Sequence, residues 1–174
     1  HAAAKWTVGN NNSTDEAGGF LFICTWGPAT GVATTTSRSF VGMGASTVAP
    51  TDVEPSSITN IVGMGWDAAD TNVQIMHRGT GAVSKIDLGA NFPVPTTDRT
   101  KVYELTMFSP PNTTTQTVSY RVEDLTTGAV ATGLITTNLP TTTTALAPRG
   151  WMSVGGTSSV IGLTLMRLYI ETDI

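Results

Sequence analysis

Cysteine, histidine and charge are all scarce in this chain. Its 174 residues include one cysteine, two histidines and 13% charged side chains. A lone Cys24 forms no intrachain disulfide, which sets the chain apart from small secreted domains stapled by disulfides. Its neighbours Phe22, Ile23 and Trp26 predict a buried thiol in a strand rather than a nucleophile. The histidines, His1 and His77, are too few for a zinc site of three or four Cys, His or acidic ligands. Nine Lys and Arg against thirteen Asp and Glu give a net charge of −4. No basic patch collects phosphates, so nucleic acid is excluded as a partner. No apolar run approaches the roughly 18 residues that signal a membrane-crossing helix, and no membrane insertion is expected. Helix formers such as Glu, Lys and Gln are few.

What the chain does have is threonine, glycine and alternation. Thr favours strands and turns over helix interiors, and a hydrophobic fraction of 40% supplies a core. The clearest stretch is 101–123. Val102, Glu104, Thr106 and Phe108 fall on one face, and Tyr103, Leu105 and Met107 on the other. After Ser109-Pro110-Pro111-Asn112, Val118, Tyr120 and Val122 alternate with Ser119, Arg121 and Glu123. Two period-2 segments around a Pro-Asn connection predict a β-hairpin. Residues 60–67, 72–78 and 83–88 predict a three-strand meander. Residues 20–26 predict a strand ended by Gly27-Pro28, and 5–8, 40–44, 129–137 and 150–154 shorter ones. Residues 9–19 and 51–57 read as loops, 138–148 as an exposed, extended connection, 89–99 as a crossing loop and 33–37 as an exposed edge. The last segment, 160–173, is apolar on both faces. It predicts a strand central to a sheet, paired with the hairpin and touching a neighbouring subunit. Roughly ten to thirteen short strands without a convincing helix predict an all-β fold. The expected architecture over residues 1–174 is a single two-sheet antiparallel β-sandwich, jelly-roll or concanavalin-like. Residues 1–4 read as a cloning remnant or as a cut from a longer polypeptide.

Candidate chemistry is sparse. Trp26, Trp66 and Trp151 stand at strand ends or beside turns, where an aromatic face could stack on a sugar ring; the competing reading of each is core. His77 and Arg78, beside Gly79-Thr80-Gly81, could contact a ligand. Asp67, Asp70 and Asn72 offer oxygens to a cation, although their spacing matches no EF-hand and turn-capping is the simpler role. Glu104, Asp87, Glu123 and Glu171 are the strand-borne carboxylates that a glycosidase pair would draw on. No nucleophile elbow is present. Gly42-Met43-Gly44 and Gly63-Met64-Gly65 lack the context of a phosphate loop and read as strand-packing features. No cofactor and no catalytic residue are assigned, and no metal beyond that weak Asp67, Asp70, Asn72 alternative.

The segments IVGMGWDAADTNVQIMHRGTGAVSKIDLG, VYELTMFSPPN, VSYRVEDLTTGAVATG, TTNLP and GWMSVGGTSSVIGLTLMRLYIETD resemble a C-terminal domain of tailed-bacteriophage tail-fibre and related attachment proteins. The resemblance covers residues 60–174. It implies a lectin-like β-sandwich at a virion fibre tip, a homotrimer that joins the rest of the fibre. Its expected role is receptor binding to host surface polysaccharide or outer-membrane protein, without catalysis. It supplies no residue-level binding motif. A structural module for capsid decoration or fibre trimerisation, a carbohydrate-binding module and a glycan-degrading enzyme stand as alternatives.

Overall fold

The computed structural model describes residues 6–9, 17–30, 36–46, 48–96, 99–111, 115–156, 158 and 160–172. Twelve strands are formed among them: β1 (Trp6–Thr7), β2 (Ala17–Gly18), β3 (Phe20–Thr30), β4 (Arg38–Gly44), β5 (Ile61–Trp66), β6 (Gln74–Arg78), β7 (Lys85–Asp87), β8 (Tyr103–Ser109), β9 (Val118–Asp124), β10 (Ala129–Ile135), β11 (Ala147–Ser153) and β12 (Gly162–Glu171). A 3-10 turn at Pro55–Ser57 is the sole helical element described. Most strands belong to two antiparallel five-stranded sheets. Sheet I has the order β10-β9-β8-β3-β12, and sheet II the order β11-β4-β5-β6-β7. β1 and β2 form a short parallel pair, and Trp6 bridges to Leu146.

Alternation decides which side chains meet between the sheets. Tyr103, Leu105 and Met107 of β8 and Val118, Tyr120 and Val122 of β9 point inward, as expected of strands with one covered face. They meet Val41, Met43, Val62, Met64, Trp66 and Ile75 of sheet II. At the centre Trp26 stacks on Trp66, with centroids 6.0 Å apart, and Tyr103 tilts against Trp26 at 5.5 Å. Such aromatic pairs contribute about 0.5–1.5 kcal/mol each beyond the area they bury.

The hairpin occupies the middle of sheet I and the meander β5-β6-β7 runs as expected. Three expectations are corrected. β3 does not end at Gly27-Pro28; it runs on to Thr30, with a register shift between Gly162 and Leu163 where β12 passes Pro28, and prolines within sheets are confined to such irregularities and to edges. The final strand does not pair with the hairpin. β12 pairs with β3 and stands at the edge of sheet I, not at its centre. Of residues 138–148, Leu139, Pro140 and Leu146 are buried rather than exposed, and β11 already starts at Ala147. The expectations for residues 1–4, for 10–16 within the first loop, for 33–35 and for Asn112 to Thr114 lie outside the described residues.

Candidate ligand pocket on the outer face of sheet II

The two Gly-Met-Gly repeats explain why sheet II has a hollow in its outer face. In β4 and β5, Met43 and Met64 point into the core, so Gly42, Gly44, Gly63 and Gly65 point outward. Gly42 and Gly63 sit directly opposite one another. A methyl on Gly63 would lie 2.4 Å from the Val41 carbonyl oxygen and 2.8 Å from the Phe40 ring. The Phe40 ring therefore lies across bare backbone. Ile61, Met76 and, from β11, Trp151 pack with it into a second apolar cluster, separate from the core.

Above this cluster a pocket of about 270 Å³ opens. Phe40, Ile61 and Trp151 form its floor, with Ile58 and the rim residues Val48, Pro50 and Val53 around it. Val48 is 72% exposed at the rim. Arg149 is the one charged residue in the lining. It precedes Trp151 by two positions in β11, so strand periodicity puts both on the same face. The Arg149 stem passes over Gly44. Its Nε is shielded from solvent without an acceptor, and the Arg149 side chain makes no hydrogen bond or ion pair among the described residues. Most of the other described cations are engaged. Arg38 binds Asp52 at 2.8 Å and Glu54 at 2.9 Å, Lys85 binds Asp70 at 2.7 Å and Asp67 at 3.0 Å, Lys101 binds Asp124 at 2.5 Å, and Arg121 binds Glu123 at 2.7 Å.

Several residues singled out by the sequence hold the wall of this pocket. Asp67 accepts from the Ser56 N–H at 3.1 Å and from the Ser56 hydroxyl at 2.6 Å. Arg78 donates to the Ser57 carbonyl and, at 2.8 Å, to that of Gly81. The 3-10 turn leading to Ile58 is thus held from two sides. Glu54, just before it, accepts from the Ala68 N–H at 2.8 Å, and Arg38 ties Asp52 and Glu54 to the start of β4. Partial burial lowers the Lys85 pKa, but hydrogen bonds and charge from Asp70 and Asp67 outweigh it and leave the value raised.

The other candidates are placed as follows. Trp26 and Trp66 have no exposed ring face, being stacked together in the core, and are withdrawn as ligand platforms. His77 is buried. Burial holds its imidazole below the usual histidine range against the opposing backbone of Asn138 and Thr137. It lies on the inward face opposite Val62, away from the pocket. The alternative cation site at Asp67, Asp70 and Asn72 is corrected: the Lys85 ammonium lies between the two carboxylates, and the Asn72 amide donates to Asp87 at 3.2 Å. Among the described residues no group of three or more His, Cys, Asp or Glu could hold a metal. Glu104 and Glu123 stand directly cross-strand on the outer face of sheet I. Glu104 accepts from the Thr25 hydroxyl at 3.2 Å, and Glu123 pairs with Arg121. A second hollow of about 490 Å³ near Pro93, Lys101 and Gly128 has no aromatic lining, and its lysine is committed to Asp124. The sequence reading missed Phe40 and Arg149 as pocket residues. The available signal was the shared strand face of Arg149 and Trp151.

No protein-family model matches the chain, and no curated protein matches it. Among solved structures, peanut lectin with a nine-residue peptide aligns with 95% of this chain and 78% of its own, at 13% identity and a TM-score of 0.55. The fold is a lectin-like β-sandwich. A carbohydrate esterase of the Shiga toxin-encoding bacteriophage phi24B aligns with 91% of this chain and 69% of its own, at 14% identity and a TM-score of 0.49. Scytalido-glutamic peptidase with a peptide-based transition-state analogue aligns with 98% and 79%, at 12% identity and 0.47. At those scores neither bears on the activity of this chain.

Proposed function

We propose that this domain is a non-catalytic binding module for surface carbohydrate, acting in host attachment at the tip of a phage fibre. The observation that carries the binding role is the pocket on sheet II. It combines an aromatic floor, aliphatic walls and one cation, and its lining contains no carboxylate or histidine to act as acid or base. Sugar rings present one face of C–H groups and an edge of hydroxyls, and an apolar floor beside a few polar groups suits them. The volume lies just below the usual range of about 300–1,000 Å³ for ligand clefts. It fits one ring rather than a long chain. A shallow single-ring site binds weakly, and several copies on one particle would supply avidity.

The attachment role and the homotrimer rest on the resemblance of residues 60–174 to fibre proteins, with support from β12. Its Leu165, Met166 and Leu168 are 47%, 53% and 43% exposed at a sheet edge, and a long apolar edge strand is suited to burial against another copy.

The test is a glycan array probed with the labelled domain and with Trp151→Ala. Binding to a defined set of glycans, weakened at least about tenfold by the substitution, supports the reading. Equal binding by both proteins places the ligand elsewhere. Reducing ends released from host polysaccharide would overturn the non-catalytic role.

A further inference from the structure

We infer that the ring bound in this pocket carries a carboxylate, as in a uronic or sialic acid, and that Arg149 selects it. This inference rests on the pocket reading above. Its basis is the unmet hydrogen-bonding capacity of one guanidinium. Buried polar atoms nearly always have partners, so one that lacks them calls for an explanation. Arg38, Lys85, Lys101 and Arg121 each have a carboxylate, and Arg78 has two backbone carbonyls. Arg38 Nε is shielded without an acceptor as well, but its two terminal nitrogens are paired; the Arg149 side chain has no partner at any nitrogen among the described residues, although it is only partly exposed.

The location adds a second argument. Arg149 is the sole charged group of a mostly apolar lining whose other polar side chains are the hydroxyls of Ser46 and Thr51, and it stands two residues from Trp151 on the same strand face. Apolar walls lower the local dielectric, so an ion pair formed there is worth more than one at an open surface. A guanidinium also presents a planar fork that matches a carboxylate with two parallel hydrogen bonds. Asp52 and Glu54, next to the rim residues Thr51 and Val53 in the chain, are tied to Arg38. In a chain of net charge −4, an anionic ligand meets general repulsion and one local point of attraction. That combination favours an acid delivered to the pocket over indiscriminate anion binding.

The two parts of the ligand then have separate partners. Its apolar ring face rests on Trp151 over Phe40, and its carboxylate meets Arg149. Sugars of equal size without the acid keep the first contact and lose the second.

The experiment measures binding of the whole domain to three disaccharides of matched linkage, ending in glucuronate, sialate or glucose, for wild type, Arg149→Gln, Arg149→Lys and Trp151→Ala. Circular dichroism confirms that each variant is folded. The expected result is tighter binding of at least one acidic sugar than of the neutral one by about tenfold or more, as for a charged hydrogen bond. Arg149→Gln removes that preference, weakening the acidic sugar by about tenfold more than the neutral one. Arg149→Lys retains part of it, and raised salt erodes it in the wild type. Equal binding of acidic and neutral sugars, weakened by Trp151→Ala but not by Arg149→Gln, overturns the acid selectivity and leaves the pocket reading intact. Acidic binding that survives Trp151→Ala overturns both, and so does an absence of binding to all three sugars.

Discussion

At Asp124 a carboxylate with no exposed surface meets Lys101 Nζ at 2.5 Å and accepts from the Thr126 N–H at 2.9 Å. Burial alone would raise its pKa, but the Lys101 hydrogen bond and the backbone and side-chain bonds at Thr126 and Thr127 outweigh it and leave the value lowered. A lowered folded pKa means that the unfolded chain takes up the proton first. The stabilisation is therefore complete above the ordinary Asp value of about 3.9 and drains away as pH falls through the lower folded value. Removing one partner of such a pair leaves a buried charge, so Asp124→Ala should cost about 3–5 kcal/mol in urea unfolding. The stability gap between wild type and Asp124→Asn should be flat from about pH 7 to 5 and shrink below about pH 4. A gap constant down to about pH 2 would show that the charge is not the source. Cys24 is the opposite case, with no partner to oppose burial, and its thiol is pushed up to about 12. Since the thiolate is the reactive form, native protein at pH 8 should resist a disulfide reagent and react only once unfolded. Labelling at the rate of a free thiol would refute that burial.

Among the elements, the β4–β5 seam combines close backbone approach with the pocket floor. A methyl on Gly63 meets main chain from two residues of the neighbouring strand, whereas one on Gly150 in β11 meets nothing closer than 3.8 Å. Thermal or urea unfolding should show Gly63→Ala destabilised by about 1–3 kcal/mol, and Gly150→Ala within about 0.5 kcal/mol of wild type. Equal effects would mean that the seam has slack. The hairpin was legible because one face of β8 and β9 is covered and the other is not, and Tyr103, Leu105 and Met107 record that difference in their spacing. β12 was misread for the complementary reason. Leu165, Leu168 and Ile170 on one face and Tyr169 on the other erase the alternation, and apolar residues on both faces fit an uncovered edge as well as a covered centre. The pocket was half legible. Arg149 and Trp151 share a face by local spacing, but their rim comes from Ser46, from residues 48–51 and from Val53, far away in the sequence, and a loop has no period to announce its partner.

For the molecule as a whole, β11 and β12 each end a sheet. Between them lies a mostly apolar cleft of about 220 Å³ lined by Phe22, Leu163, Leu165 and Leu168, with Arg149 as its one charged residue. In a trimer this side should be covered. Light scattering of the 18.2 kDa chain should give three copies for wild type and one for the double variant Leu165→Asp, Leu168→Asp. A wild-type monomer at micromolar concentration would remove the trimer from the proposal, and trimers persisting in the double variant would move the contact elsewhere.

The glycine seam beneath the Phe40 ring constrains how such a domain can diverge. Gly42, Gly63 and Gly65 are closed to other residues, because a side chain at each would collide with main chain. Val48, Ala49, Thr51 and Val53 lie at the exposed rim and carry no such restriction. Descendants of this chain should therefore keep one immovable base plate while the rim drifts. On the proposed binding role, a changed rim alters what the pocket grips without re-inventing the sandwich that holds the grip.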